Sequence, residues 1–554
     1  MCGFLITCDN NNQIDRFNRS FNQIRSRGPD GSRIEQHKNI LKMGFHRLSI
    51  IDDHERSMQP YFYKNNILLY NGEFYNYENI KKKIQHNHKI EFHTKSDTEV
   101  FLQNILINGI KGYEDIIGMF AFSIFDKSKN VIKFGRDNFG IKPLYYYFDH
   151  KSLIISSSLK SVNIIAQQKI NNFNLINFNK YGFTYGDETI YQNINECRPG
   201  VEYTIDLNMK TLNTKSFFNL RNIISNQKNN YMNNDLNYFR ENIRLHLVSD
   251  VKSCVLKSNG IDSNLIAYYK NEIQKKNEYI YFDKNKINFR IENSEQNFNS
   301  VNLSEDEYQN YFQEYLDSLE YPTIDGFNTY LITKISNQNK FKVCLSGLGL
   351  DEIFDGYGIN NKLRLAKIFN SFNIFKKLPY KPNNIKIDKL MSCANCNDLL
   401  DYYLEVRKIS TQKNLNKKFD TKEIENHKSK LKTLILENLS ITDISAYKKI
   451  DLIKFFEFEF YLKNQLLKDS DFFSMLNSVE LRVPFIEKRF IENISNNNPK
   501  NLGKRKFLFL NYKSILDNLN IEKQKEGFVA HNFNKLREIN NFENIINIVN
   551  KKFN

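Results

Sequence analysis

The chain has 554 residues, too many for one ordinary hydrophobic core, so its length predicts about two to four domains. Its formal net charge is +16, but the basic residues are scattered and form no stripe interleaved with aromatic side chains, so we expect no dedicated nucleic-acid partner. The 7 cysteines are an odd, sparse set that argues against a disulfide framework and for a reducing compartment. The single C-x-x-C of Cys393 and Cys396 lacks the second pair expected of a zinc site.

Neither a membrane span nor a signal peptide is expected from the sequence. No apolar run approaches the roughly 18 residues that cross a bilayer. The N-terminus has no basic region before its short apolar run, as a signal peptide would have. We therefore expect a cytoplasmic protein.

The chain up to about residue 215 predicts short strands separated by Asn, Asp and Gly turns, with few helices. Residues 221–237 are polar and Asn-rich, a composition typical of a linker. We expect a first domain over 1–215, a linker over 216–237 and a second domain over 238–554. The strand candidates of the first domain are 67–70, 120–125, 131–135, 145–148 and 153–156.

Beyond the linker the pattern changes to strand–turn–helix units. Apolar residues have helical spacing over 236–247 and 265–273. Short strands are predicted at 251–256, 279–282 and 341–345. This alternation predicts a parallel α/β sheet covered by helices, followed from about residue 360 by mostly helical chain.

Cys2 becomes the first residue of the chain once Met1 is removed. A free N-terminal cysteine carries a thiol nucleophile and an α-amine, whose ordinary pKa of about 8 lets it act as the local base. A cysteine at the second position is often incidental, so the segments that follow it decide between the two interpretations.

Those segments resemble, in their order, class II glutamine amidotransferases, whose glutaminase domain is an α+β N-terminal-nucleophile αββα sandwich. The resemblance covers essentially all of residues 1–215. The segments that carry it are Cys2-Gly3, Arg27-Gly28-Pro29-Asp30, Gly44-Phe45-His46-Arg47-Leu48-Ser49-Ile50, Gln59-Pro60, Asn71-Gly72-Glu73-Phe74-Tyr75-Asn76, Ser96-Asp97-Thr98-Glu99, Gly118-Met119-Phe120-Ala121-Phe122, Gly135-Arg136-Asp137 and Gly140-Ile141-Lys142-Pro143-Leu144-Tyr145.

The resemblance implies roles that suit the splitting of a primary amide. Cys2 would attack the amide carbon of glutamine, and the Asn71 side chain and the Gly72 N–H would hold the oxyanion. Arg47 would pair with the α-carboxylate through its bidentate fork. Asp97 and the region of Glu73 would receive the α-ammonium.

Each of these motifs, taken singly, also fits a structural role. Asn-Gly is a common hairpin turn, and Arg27 or Arg47 would equally suit surface ion pairs. Ser158 stands where the family usually places a glutamate. That position is outside the nucleophilic core of the family, so glutamine cleavage is still expected.

A Gly-containing turn follows the predicted strand 251–256 and precedes a helix. Such a turn offers backbone N–H groups to a pyrophosphate, and Asp262 suits Mg²⁺. The segment resembles the pyrophosphate loop of the ATP pyrophosphatases, usually Ser-Gly-Gly-x-Asp-Ser, with Asn259 in place of one glycine. The residues predicted to bind ATP here are Leu256, Ser258, Gly260, Asp262 and Ser263.

Residues 346–357 resemble the second signature of asparagine synthetases. By that resemblance Ser346 and Gly347 flank the nucleotide, and Asp351 assists Asp262 in holding the metal. Leu348 stands at a usually acidic position near the amidation chemistry, and a Leu side chain carries neither charge nor proton.

Two later segments extend the resemblance. Residues 469–475 and 478–485 match a further family segment, and Lys506 would offset charge on the leaving pyrophosphate. The second half is thus expected to be an α/β parallel-sheet ATP-pyrophosphatase domain with extra helices.

The resemblance as a whole implies a glutamine-hydrolysing asparagine synthetase with ATP and Mg²⁺ as cofactors. Glutamine and a small carboxylate, aspartate in the usual case, are the expected substrates, and a homodimer is left open. Two alternatives also stay open. In the first alternative, the acceptor is another carboxylate, such as a sugar or peptide acid of a cell-surface pathway. In the second, the C-terminal half is catalytically impaired and serves as a binding or regulatory module.

Overall fold

The computed structural model describes residues 2–8, 14–38, 41–225, 237–275, 278–283, 288–292, 298–371, 382–497, 503–504, 506–508 and 542–553. Three six-stranded sheets form the framework of this described part. Two of them lie in the N-terminal half, and their strands are β1 Gly3–Cys8, β2 Gly31–His37, β3 Leu41–Arg47, β4 Tyr61–Tyr63, β5 Asn66–Phe74, β6 Gly118–Asp126, β7 Val131–Arg136, β8 Tyr145–Phe148, β9 Leu153–Ser156, β10 Ile194–Glu196, β11 Val201–Asp206 and β12 Thr211–Ser216.

The two N-terminal sheets are antiparallel and pack face to face. The first has the order β10-β8-β9-β1-β3-β2 and the second the order β12-β11-β7-β6-β5-β4. Phe4 and Phe45 of the first sheet and Leu69 and Phe134 of the second share one buried core. The helices of this half are α1 Ile14–Gln23, α2 Tyr77–His88, α3 Asp97–Asn108, α4 Leu159–Ala166 and α5 Asn172–Tyr181.

These helices cover the outer faces of the two sheets. Phe21 of α1 and Val162 of α4 pack with Leu5 on the outside of the first sheet. Ile80 of α2 and Phe101 of α3 are buried on the outside of the second sheet. The N-terminal half is therefore the αββα sandwich that the sequence predicts.

The third sheet lies in the C-terminal half. Its strands are β13 Ser253–Lys257, β14 Tyr279–Asp283, β15 Asn288–Glu292, β16 Phe298–Asn302, β17 Val343–Leu345 and β18 Glu480–Arg482, in the order β16-β15-β14-β13-β17-β18. The pairs β13–β14, β13–β17 and β17–β18 are parallel, whereas β15 and β16 form an antiparallel edge. The predicted parallel sheet is confirmed, and the antiparallel edge is an addition that the sequence analysis did not include.

Helices surround the third sheet and continue the chain. A π-helix, Glu457–Leu467, continues directly from the helix that ends at Phe456 into the helix that begins at Lys468. The α-helices are α6 Leu220–Ser225, α7 Asn237–His246, α8 Ile261–Gln274, α9 Glu305–Ser318, α10 Phe327–Gln338, α11 Leu350–Phe354, α12 Ile359–Ser371, α13 Ile385–Cys393, α14 Leu399–Arg407, α15 Gln412–Leu415, α16 Thr421–Asn438, α17 Lys449–Phe456, α18 Lys468–Leu476, α19 Lys488–Asn497 and a last helix Phe542–Phe553.

Element positions agree with the pattern of the sequence, with shifts at some boundaries. Strands β8 and β9 have the predicted bounds, whereas β13 and β17 each begin two residues later than predicted. Helix α8 begins four residues earlier than its apolar period, because Gly260 is its N-cap and the polar loop residues form its first turn. Among the helices that the structure describes, none has both the length and the apolar character needed to cross a bilayer.

The two halves share hydrophobic cores. Leu48 and Phe139 of the sandwich belong to the same buried cluster as Val255 and Val343 of the third sheet. The predicted linker 216–237 includes α6, where Ile223 is buried against that cluster, while residues 226–236 lie outside the described residues. Apolar burial therefore fixes the two halves against each other.

Candidate active sites

Cys2 lies at the end of the sandwich where its two sheets meet. The β1–β3 pairing sets Gly3 opposite His46, which brings Cys2 and Arg47 to the same end of the first sheet. The backbone N–H of Cys2 donates to Asn71 Oδ1, at 3.0 Å, on β5 of the second sheet. The predicted nucleophile and the predicted oxyanion ligand are thus in direct contact.

Asn71 also carries an unused donor. Its side chain is fully buried, and its Nδ2 has no hydrogen-bond partner among the residues that the structure describes. A buried amide N–H without a partner costs free energy, so it is suited to donate to a bound ligand. Gly72 follows on the same strand, where a Cβ would lie 2.3 Å from Met119 O. Only glycine therefore fits beside this donor.

The charges around Cys2 act in opposite directions on its thiol. Burial raises the pKa of the Cys2 thiol above its ordinary value. The positive N-terminus, a hydrogen bond from the Leu48 backbone and the charge of Arg47 lower the pKa but do not cancel this effect. The neutral thiol therefore predominates at pH 7, and a base is needed to form the thiolate.

Arg47 and Asp97 are held in place by backbone groups. Arg47 Nη1 donates to His54 O at 3.0 Å, and Nη2 donates to Asp52 O. Asp97 accepts from the Phe74 backbone N–H at 3.0 Å. Burial raises the pKa of Asp97 to about 6. These contacts fix a guanidinium and a carboxyl group at the same end of the sandwich as Cys2.

Glu73 is buried where the sandwich meets the C-terminal half. Its Oε2 lies 3.7 Å from Nη2 of Arg482, on β18. Burial and the nearby Glu480 raise the pKa of Glu73 well above its ordinary value. No sequence pattern predicts a role for Glu480 or Arg482, because both come near Glu73 only when the two halves pack together.

A second site opens at the carboxyl ends of β13 and β17. It is a cavity of about 280 Å³. Every residue that the sequence analysis assigned to ATP or metal, except Lys506, lines it: Leu256, Ser258, Gly260, Asp262, Ser263, Ser346, Gly347 and Asp351.

The predicted pyrophosphate loop is held by its own hydrogen bonds. Ser263 Oγ accepts from the Ser258 N–H at 2.9 Å, and Asn264 Nδ2 donates to both Ser258 O and Gly260 O at 2.8 Å. Gly260 has a φ of −77°, an ordinary extended value. The Asn259 Oδ1 accepts from the Tyr281 hydroxyl at 2.8 Å. These hydrogen bonds hold the loop together, with Asn259 at the position where the family usually has glycine.

The two carboxylates predicted to hold a metal converge on a single lysine. Lys504 Nζ donates to both oxygens of Asp262 at 2.8 Å and also contacts Asp351 Oδ1. Burial lowers the pKa of Lys504, but the two carboxylates outweigh burial and raise it. Two convergent carboxylates are ligands that Mg²⁺ takes together with phosphate oxygens, so this pair suits a divalent cation once Lys504 leaves the point between them.

The lysine that contacts the two carboxylates is one to which no sequence motif gave a role. Lys506 is exposed, and the lysine that reaches the carboxylates is Lys504. Both positions are helical, and two residues along a helix correspond to roughly 200° of rotation, so the two side chains leave opposite faces. A sequence motif does not show which face of a helix a side chain leaves. The sequence signal for Lys504 was its position two residues before the predicted Lys506.

Apolar side chains form the wall of the cavity beyond the nucleotide loop. Leu348, Ile332 and Leu481 line it, beside Glu352. Glu352 is buried, and its Oε1 accepts from the Tyr357 hydroxyl at 2.6 Å. Burial raises its pKa to about 7. Asn328, Thr329 and Ser470 also line the cavity, and none of them belongs to a motif that the sequence analysis assigned to binding.

The two sites together define a class, the glutamine amidotransferases that combine a thiol-bearing αββα sandwich with an ATP-pyrophosphatase type of synthetase domain. Residues 1–218 match the family described as a glutamine amidotransferase domain, and residues 236–538 match the family described as asparagine synthase. The chain belongs to the asparagine synthase family and is a glutamine-hydrolysing ligase.

Named relatives agree with this assignment. The chain is 27% identical to asparagine synthetase [glutamine-hydrolyzing] 1 of Bacillus subtilis, over 88% of this chain and 80% of that protein. It is 29% identical to a putative asparagine synthetase [glutamine-hydrolyzing] 2 of Methanocaldococcus jannaschii, over 62% and 72% of the two chains. It is 26% identical to asparagine synthetase B [glutamine-hydrolyzing] of Escherichia coli, over 64% of each.

Proposed function

We propose that the chain is a glutamine-dependent asparagine synthetase, which releases ammonia at Cys2 and uses it to amidate an ATP-activated aspartate. The observation that carries the proposal is the presence of both sites in one chain, each in contact with α18. Ser470 of α18 lines the cavity, and Asp471 of α18 binds the arginine that donates to Cys2 O. The contacts around each site support the two half-reactions.

The first half-reaction splits glutamine. The Cys2 sulfur attacks the amide carbon, and the α-amine, free once Met1 is removed, takes the thiol proton and delivers it to the leaving ammonia. The oxyanion accepts from Asn71 Nδ2 and the Gly72 N–H. Water then hydrolyses the thioester to glutamate. Arg47 would bind the α-carboxylate, and Asp97 with Glu73 would bind the α-ammonium.

The second half-reaction activates the acceptor. A carboxylate oxygen of aspartate attacks the α-phosphorus of ATP, and pyrophosphate leaves. Ammonia then attacks the acyl carbon, AMP leaves, and asparagine forms. Ser258, Gly260, Ser263, Ser346 and Gly347 would hold the nucleotide. Asp262 and Asp351 would hold Mg²⁺, which supplies charge neutralisation at the phosphates.

A second candidate has another carboxylate as the acceptor. The observation that favours it is the apolar wall of the cavity, where Leu348 stands at a position that is usually acidic in the family. An apolar wall is expected to favour a less polar body than that of aspartate. The proposed chemistry at Cys2 and at ATP is the same in both cases.

The test is an acceptor-dependence assay. Purified protein is incubated with glutamine, ATP and Mg²⁺, and glutamate, pyrophosphate and asparagine are measured with and without aspartate. We expect pyrophosphate and asparagine to appear only with aspartate. Pyrophosphate with a different carboxylic acid, and none with aspartate, would instead support the second candidate.

The control separates the two halves. Cys2→Ala is expected to abolish glutamine-driven synthesis while ammonium-driven synthesis persists, because ammonium bypasses the thiol. Full glutamine-driven activity in Cys2→Ala would refute the nucleophile. Glutamate release without pyrophosphate under every acceptor would refute the synthetase function and indicate an impaired second half.

A further inference from the structure

A buried carboxylate of the C-terminal half, Asp471, is held by two cations of the sandwich. Arg27 Nη2 lies 2.8 Å from Asp471 Oδ2, and Lys142 Nζ lies 3.0 Å from Asp471 Oδ1. None of the three side chains is more than 5% exposed. Burial raises the pKa of Asp471, but the charges of Arg27 and Lys142 outweigh burial and lower it. The carboxylate is therefore ionised and bridges the two halves.

Arg27 connects this bridge to the nucleophile. Its Nε donates to the backbone carbonyl of Cys2 at 3.3 Å, while its Nη2 binds Asp471. A Cβ at Gly3 would lie 3.1 Å from Arg27 Cβ, so the side chain packs closely on the backbone that follows Cys2. One guanidinium thus joins a carboxylate of α18 to the residue that carries the thiol.

A second contact ties the same turn of the sandwich to the C-terminal half. Ser478 Oγ donates to Ser26 O at 2.6 Å, one residue before Arg27. Ser470 precedes Asp471 on α18 and lines the nucleotide cavity. Helix α18 therefore lines the cavity with Ser470 and, with the next residue, Asp471, binds the Arg27 side chain that donates to Cys2 O.

We propose that Asp471 is a positioning residue for glutamine hydrolysis. It fixes the Arg27 guanidinium and, through it, the backbone of Cys2, so that the thiol is held in register with Asn71 only when the C-terminal half is packed against the sandwich. The inference rests on the proposed function of Cys2 as the glutaminase nucleophile. By this inference, glutamine hydrolysis at Cys2 depends on Asp471, a residue of the C-terminal half.

The same interface offers a matched control. Glu196 of the sandwich bridges Arg136 Nη1 and Lys468 Nζ of α18, each at 2.7 Å. This carboxylate is buried and bound to two cations, like Asp471. In the part of the chain that the structure describes, neither Arg136 nor Lys468 forms a hydrogen bond or ion pair with Cys2 or Arg27, so the loss of Glu196 tests the interface without the link to Cys2.

The experiment compares Asp471→Asn with Glu196→Gln in the full chain. Glutamate release, ammonium-driven pyrophosphate release and the rate of Cys2 alkylation by iodoacetamide, followed on the N-terminal peptide, are measured. In Asp471→Asn we expect glutamine kcat to fall by about tenfold or more, with ammonium-driven synthesis within about twofold of the unaltered chain. The alkylation rate of Cys2 is expected to change by about threefold or more, because the thiol loses its fixed position. Glu196→Gln is expected to leave the ratio of the two activities unchanged.

Two outcomes would overturn the inference. One is an equal loss of both activities in Asp471→Asn, and the other is the same selective loss in Glu196→Gln. If Asp471→Asn does not fold, Arg27→Lys replaces it, because it keeps a cation for Asp471 and removes the Nε donor to Cys2. Full glutamine-driven activity in Arg27→Lys would then overturn the inference.

The readouts also separate this inference from the proposed function. If the unaltered chain releases no glutamate, the proposed function fails. Alkylation of Cys2 requires only its thiol, so it still compares the variants. An unchanged alkylation rate in Asp471→Asn would then refute the positioning role independently.

Discussion

Ser158 Oγ donates to Glu320 Oε1 at 2.7 Å, and the Lys160 N–H donates to Glu320 Oε2 at 3.3 Å. The family usually has a glutamate at position 158, and here a glutamate of the C-terminal half brings its carboxylate to the same turn. Burial raises the pKa of Glu320. Position 158 therefore lacks the family's glutamate, but Glu320 brings a carboxylate to the same place from a distant part of the chain.

Asn71 allows a direct test at the residue scale. Asn71→Ala removes the unpartnered Nδ2 donor, so we expect the kcat for glutamate release to fall by about 100- to 1,000-fold, the usual effect of losing one oxyanion donor. Ammonium-driven synthesis is the internal control and should be retained. A glutamate release rate close to that of the unaltered chain would exclude Asn71 from the oxyanion hole.

Asp97 predicts a pH dependence. Its pKa is raised to about 6, so the carboxylate is charged above that pH and becomes neutral as the pH falls through it. If Asp97 binds the α-ammonium of glutamine, the KM for glutamine should rise as the pH is lowered from 7 to about 5. A glutamine KM series across this range checks the prediction. Asp97→Asn should bind glutamine weakly throughout with a flatter profile, and an equally steep profile in that variant would assign the dependence to another group, such as Glu73.

At the scale of elements, the turn before α11 packs against the start of α8. A Cβ at Gly347 would lie 2.8 Å from both Asp262 Cβ and the Ser263 backbone N. Contacts this short force a shift in one of the two segments. The two signatures of the synthetase half therefore depend on each other for their geometry.

Gly347→Ala tests this dependence. We expect it to displace the pyrophosphate loop and to lower ATP-dependent pyrophosphate release by about tenfold, with glutamate release unaffected. The control is Gly503→Ala, since a Cβ there would meet no atom of the described residues within 4 Å. Measurement of both products in both variants distinguishes a loop effect from general loss of fold. Unchanged pyrophosphate release in Gly347→Ala would show that the loop tolerates the displacement.

At the scale of the whole molecule, buried ion pairs accompany the apolar contacts between the halves. Arg482 is fully buried, with Nε at 2.5 Å from Glu480 Oε1 of its own half and Nη2 at 3.7 Å from Glu73 Oε2 of the sandwich. Such a group stabilises the fold only while its partners remain, because removal of one partner leaves a buried charge unpaired. The interface is therefore sensitive to single charge changes.

Arg482→Met is expected to lower the free energy of unfolding by about 3–5 kcal/mol, the cost of breaking a buried pair. Arg240→Met is the matched control, because the Arg240–Glu272 pair is about 40% exposed and such pairs contribute about 1 kcal/mol or less. Urea unfolding followed by circular dichroism measures both. Equal, small effects of the two substitutions would show that Arg482 does not hold the interface.

The sequence by itself determined the class of each half and predicted most of the residues that the fold brings together at the two candidate sites. The strands β8 and β9, the loop at Ser258 and the order of the motifs follow from residues close together in the chain, where periodicity and turn chemistry act locally. The predicted roles of Cys2 and Asn71 stay predictions, although the structure brings the two residues into contact.

Only the tertiary structure decided which distant groups meet. Asp471 reaches Arg27 across 444 positions, Glu320 reaches Ser158 across 162, and Lys504 reaches both Asp262 and Asp351. These contacts depend on how the two halves pack, and packing is set by the summed burial of many apolar side chains that no local pattern contains. For that reason the sequence predicted Cys2 as the nucleophile, whereas the fold pointed to the carboxylate that we propose holds its backbone in place.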